Sequence, residues 1–149
     1  MKKENLIKGT KYMLDFMFWG GIAVTATLPF SLKFLGEYIP HLAENYKEAV
    51  VIYFVLGIAA VKIIWELRKM FKTVLEKNCF VQENVTSLQK MGKWSFFIVL
   101  MSLVRTFVYM TIAMGVVILV FVIAGLFSFV LAFVFEEAIG YKEENDLTV

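Results

Sequence analysis

The sequence predicts an all-α integral membrane protein: four transmembrane helices, with a cytoplasmic helical elbow between helices 2 and 3. Three observations carry that expectation. From Trp94 to Phe135 the chain runs 42 residues with a single charged side chain, Arg105. As one straight helix that stretch would be roughly 63 Å long, about twice the ~30 Å hydrocarbon core of a bilayer, so it must fold back on itself. The apolar fraction is 60%, against ~45–50% in ordinary soluble domains, and charged residues make up only 19%. Lys and Arg, finally, gather in two segments and are nearly missing from the two between and beyond them.

The basic start, Lys2, Lys3, Lys8 and Lys11, resembles the head of a secretory signal, and Val24-Thr25-Ala26 a weak cleavage site. Asp15 interrupts the would-be apolar region, however, and hydrophobicity continues through Leu28, Phe30 and Leu32. The segment is therefore expected to stay as a membrane anchor. It forms the first span, about 13–35, with Pro29 near its outer end, where a kink is tolerable. The second span covers about 49–67, and Lys62 inside it lies close enough to the end for its stem to snorkel. The long apolar run supplies spans three and four, about 94–113 and 115–135. They are divided near Met114-Gly115, where glycine best serves a tight turn. An acidic tail, 136–149, follows. All 149 residues thus make one integral membrane domain.

Lys and Arg fix the orientation. Four lie before span one and six (Arg68, Lys69, Lys72, Lys77, Lys90, Lys93) between spans two and three. Only Lys33 and Lys47 lie between spans one and two, and the hairpin near Gly115 has none. Both termini and the elbow are therefore expected on the cytoplasmic side of the membrane. Trp19, Tyr38, Tyr53, Trp65, Trp94 and Tyr141 supply interfacial anchors.

The elbow has its own pattern. The second helix continues through Met70, Phe71, Val74 and Leu75 and ends near Asn78, a turn or cap residue. Val81, Val85, Leu88 and Gly92 then recur at helical spacing in a new helix that merges into span three, with Phe80 anchoring the corner. Such an elbow either lies on the membrane surface or docks a cytoplasmic partner.

The elbow and the C-terminus carry a resemblance. Asn78-Cys79-Phe80-Val81-Gln82-Glu83-Asn84-Val85, followed by Leu88 and Gly92, resembles an N-P-F-x-x-E-N-V-x-x-L-x-x-I/M-G segment. Lys142-Glu143-Glu144-Asn145-Asp146-Leu147-Thr148-Val149 is similar to a K-x-E-N-D-L-T-I/V ending. Both belong to the bacterial domain-of-unknown-function 2975 family of small four-span membrane proteins. Cys79 departs from the family's usual proline, which implies a less rigid elbow. Members are often encoded beside a small helix-turn-helix regulator of the Cro type. The resemblance thus implies a bacterial membrane protein that tethers or inhibits a cytoplasmic transcription regulator. Asn78, Phe80, Glu83, Asn84, Leu88, Asn145, Asp146 and Leu147 are then the candidate partner-binding residues.

Ionisable groups within the membrane form a second candidate set: Arg105, Lys62 and Asp15, with Thr25 as a polar neighbour. Arg105 lies near the middle of span three, where an arginine costs about 2.5–3.5 kcal/mol and usually faces the bundle interior or water. Span one passes that depth near Thr25 and Thr27, whose oxygens could accept its hydrogen bonds. Arg105 is therefore either a ligand or switch site, or a structural clamp on neighbouring carbonyls. Lys62 could pair with Asp15 or with Glu66. Ala124, Ser128 and Ala132 on span four, and Gly21 with Thr25 on span one, make small-residue faces for packing within one chain or between copies.

Several functions find no support. The formal charge of +2 is too small for direct nucleic-acid binding. One histidine, His41, and one cysteine, Cys79, do not make a metal site, and no cofactor is indicated. No HExxH, no glycine-rich phosphate loop and no nucleophile beside a base of equal depth is present, so no catalytic residue is assigned and no enzyme is expected. The leading expectation is a regulatory or sensory membrane protein. Its alternative is a small transporter, channel subunit or immunity protein acting as a homo-oligomer.

Overall fold

The computed structural model describes residues 2–38, 46–108 and 110–148. His41 lies outside them. Among the described residues every regular element is an α-helix: α1 (Lys3–Ala26), α2 (Leu28–Gly36), α3 (Tyr46–Leu75), α4 (Gln82–Val108) and α5 (Ile112–Thr148).

The expected first span is broken. α1 ends at Thr27, whose backbone (φ −94°, ψ 7°) leaves the helical region, and α2 departs at 67°. Pro29 sits in the first turn of α2, where its missing N–H costs nothing. Thr27 makes the break tolerable in an apolar medium, because its hydroxyl donates to the Ala23 carbonyl at 2.9 Å. The Tyr46 hydroxyl donates to the Pro29 carbonyl at 2.8 Å and ties α2 to the start of α3.

The four-span expectation does not hold. Among the described residues only α3 and α5 are individually long and apolar enough to cross a membrane, and the bent α1–α2 pair raises the number to three at most. The helix that falls out is α4. It carries Lys90, Lys93 and Arg105, and its buried side is polar: Asn84, Ser87, Ser95, Ser102 and Arg105 alternate there with Leu88, Met91 and Ile98. These positions follow the three-and-four spacing of one helical seam. The opposite side of α4 exposes Leu100, Leu103, Val104 and Phe107. α4 thus carries hydroxyls and charge on its inward side and hydrocarbon on its outward side.

Successive helices pack antiparallel. α1 lies on α3, α3 on α4 and α4 on α5, while α1 and α5 make no contact among the described residues. The result is an open row rather than a closed bundle. At the elbow end the row is cemented by Val85, Leu88, Met91 and Ala132, with Ile63 and Leu67 against them. At the other end Leu32 and Ala49 form a smaller cluster.

Close packing depends on small residues inside one chain. A Cβ on Gly21 would meet Val61 at 3.2 Å, and one on Gly57 would stand 2.6 Å from the Thr25 hydroxyl, so α1 and α3 nearly touch there. α4 and α5 exchange knobs. Phe129 fills the space over Gly92 while Phe96 fills that over Gly125, and the two rings stack at 5.8 Å.

The turn between the last two helices also differs from expectation. It falls at Met110-Thr111 instead of Met114-Gly115, and Gly115 lies inside α5 with no neighbour close to it. Thr111 starts the helix by accepting the Met114 amide on its hydroxyl at 3.1 Å. At the far end, residues 136–148 continue α5 without a break.

Candidate functional site

The elbow forms because α3 ends in a specific stop. Lys77 adopts φ 60°, and the Asn78 and Lys77 amides reach back to the Thr73 and Val74 carbonyls. This is the pairing that closes a helix on a left-handed residue. Lysine pays a steric penalty in that conformation which glycine avoids. Lys77→Gly is therefore expected to raise stability by about 0.5–1 kcal/mol, read as a higher unfolding midpoint in detergent.

Asn84 then locks the corner. It is 2% exposed, and its amide nitrogen donates to the Thr73 hydroxyl at 2.7 Å and to the Cys79 carbonyl at 2.5 Å. Thr73 passes the bond on to the Met70 carbonyl. Leu88, one turn later on the same seam, is buried in the core cluster. These two candidate partner-binding residues thus have interior positions. Phe80 and Asn78 hold the elbow against α5: the Phe80 ring meets Phe135 at 5.2 Å, and Lys142 Nζ donates to Asn78 Oδ1 at 3.2 Å. Glu83, Asp146 and Leu147 are exposed. Asn145 lies between Glu144 and Asp146 on the same helical end.

The elbow motif and the C-terminal motif, 64 residues apart through the Asn78–Lys142 bond, are therefore one surface. Its exposed part on α5 is acidic (Glu136, Glu137, Glu143, Glu144, Asp146) and carries Tyr141 and Leu147 as exposed apolar groups. Beside it, Lys69, Thr73, Glu83, Asn84, Thr86, Ser87 and Lys90 line a polar recess of about 260 Å³. Phe135 and Lys142 were not legible as elbow partners, since both lie on a helix whose register against α4 is a tertiary property.

The intramembrane set separates into three places. Asp15 accepts from Arg68 Nε at 2.7 Å, and the Arg68 guanidinium lies over the Phe18 ring at 4.4 Å, clasping α1 to α3. Glu66 is buried and pairs with Lys69 at 3.0 Å. Lys62 takes neither role. It is exposed and lines a shallow apolar recess with Thr25, Ile22 and Phe54.

Arg105 is not at mid-helix. It occupies the last turn of α4, where the helix dipole favours a cation. It is 2% exposed, its guanidinium carbon is 5.8 Å from the Tyr53 ring centroid, and Nη1 has no hydrogen-bond partner among the described residues. The Ser102 hydroxyl, one turn back, is likewise buried and unpartnered. Tyr53 also lines an apolar groove of about 500 Å³ floored by α3 and α4, with α2 on one side and α5 on the other. No cluster of His, Cys, Asp or Glu able to hold a metal occurs among the described residues.

An open row of helices with apolar outer faces, a polar inner seam and spans of bilayer length defines a membrane-associated protein. Residues 31–149 match the family described as Protein of unknown function (DUF2975), and the chain belongs to that family. The matched stretch runs from α2 to the C-terminus and includes the elbow, Arg105 and the acidic end of α5. No curated protein and no solved structure matches the chain.

Proposed function

We propose that this chain is a non-catalytic regulatory protein of the bacterial cytoplasmic membrane that holds a small helix-turn-helix regulator at its elbow end. The observation that supports this reading is the junction of the two motifs. Phe80 on Phe135 and Asn78 on Lys142 join the elbow to the end of α5 in one platform. Its exposed acidic residues complement the basic face with which a helix-turn-helix protein meets DNA phosphates, so docking would compete with DNA. In this reading the elbow and the end of α5 face the cytoplasm, the side favoured by the excess of Lys and Arg around the elbow.

The test uses exposed residues, because Phe80, Asn84 and Leu88 hold the fold itself. A charge-reversed variant, Glu143→Lys with Glu144→Lys and Asp146→Lys, is expected to keep its unfolding midpoint. It is also expected to lose co-purification of a co-expressed small helix-turn-helix protein by tenfold or more, roughly the effect of about 1.4 kcal/mol. Undiminished co-purification would remove the acidic surface from the contact. A reporter fused after Val149 that is active only outside the cytoplasm would overturn the orientation.

A further inference from the structure

We infer that the groove beside Tyr53 holds an acyl chain of an anionic membrane phospholipid, and that Arg105 neutralises the lipid's phosphate. The inference starts from an unpaid charge. A guanidinium removed from water is strongly disfavoured unless paired, and Arg105 has no carboxylate partner among the described residues. The ion pairs among the described residues are Asp15–Arg68 and Glu66–Lys69. The last-turn carbonyls of α4 do not take Nη1 either. What is missing is an anion. A guanidinium matches phosphate oxygens in geometry and charge, and it makes charge-assisted bonds about twice as strong as neutral ones.

The groove says what kind of anion. Leu28, Leu32, Leu56, Ile98, Val117 and Phe121 line it, and its volume of about 500 Å³ falls within the ~300–1,000 Å³ of small-molecule sites. Soluble phosphate has no use for such a surface, whereas a hydrocarbon chain does. α2 and α5 make no contact among the described residues, so the groove opens sideways, in the direction from which a bilayer lipid arrives. Tyr53 belongs to both parts: it lines the groove and faces the Arg105 guanidinium. Arg105 lies one turn from the end of α4, at the end of the row where α3 begins. Nη1 is covered, so phosphate contact requires a side-chain movement at Arg105 or Tyr53 that opens it to the groove.

The test is a thermal shift of the full chain in neutral detergent. It compares dioleoyl phosphatidylglycerol, dioleoyl phosphatidylcholine and inorganic phosphate. Phosphatidylglycerol is expected to raise the unfolding midpoint saturably, with about tenfold higher apparent affinity than phosphatidylcholine. Inorganic phosphate is expected to leave the midpoint unchanged. Arg105→Met should abolish the preference between the two lipids and keep the fold, since it removes a buried unpaired charge. Val117→Trp, which fills the groove from its lining, should weaken both lipids. Equal affinity of the two lipids, a preference that survives Arg105→Met, or an equal shift from inorganic phosphate would each overturn the assignment. This outcome is independent of partner binding at the elbow end.

Discussion

Gly92→Leu is expected to lower stability by about 1–3 kcal/mol, the cost of forcing extra carbon into a filled space. A Cβ there would stand 2.8 Å from the Phe129 ring, inside any normal contact. The ring cannot simply withdraw, because its other face is stacked on Phe96, which itself occupies the space over Gly125. Gly125→Leu should therefore cost a similar amount by pressing on Phe96. The check is a double-mutant cycle read by unfolding midpoint in detergent. Gly92→Leu in a Phe129→Ala background should cost far less than alone, because the new side chain fills the space the ring vacates. Additive losses in that cycle would mean that α4 and α5 do not interlock at this point.

Asn84→Leu is the second large effect. It removes both donors that hold Thr73 and Cys79 and leaves buried oxygen atoms with fewer partners, at a cost of about 2–3 kcal/mol. The loss is local to the corner, so limited proteolysis between Glu76 and Val81 should accelerate well before the helices separate. Asn84 also separates two roles. An interior lock predicts lower stability whether or not a partner is present. A variant of normal stability that fails only in partner binding would return Asn84 to the surface.

The sequence made some elements readable and others not, for identifiable reasons. The elbow was legible because helical spacing stops after Leu75 and restarts after Val81, and α3 and α4 end and begin there. The break at Thr27 was only half legible. Pro29 marks the place, but a 67° bend depends on the Tyr46 hydroxyl and the Leu32–Ala49 cluster, which are contacts between distant segments. The last turn lies four residues before the expected Met114-Gly115 because capping decides where α5 starts. Thr111 three residues before Met114 supplies a better helix start than Gly115 supplies a turn. Four spans were expected because the run from Trp94 to Phe135 was divided by length alone, whereas α4 starts at Gln82 and carries Lys90, Lys93 and Arg105 along its course. Pairing of charges was illegible in principle. Whether Asp15 meets Lys62 or Arg68 depends on the register of α1 against α3, fixed by Gly21 on Val61 and Thr25 on Gly57.

One helix links the two ends of the molecule. α5 runs unbroken for 37 residues, about 55 Å, while a bilayer interior measures ~30 Å. The surplus stands outside the hydrocarbon as a stiff mast with the carboxylates at its tip. A change in bilayer thickness is met by helix tilt, and a lean of about 10° carries the tip of such a mast, about 25 Å long, about 4 Å sideways. The molecule is therefore geared: small strains in the lipid become displacements of several ångströms at the acidic tip.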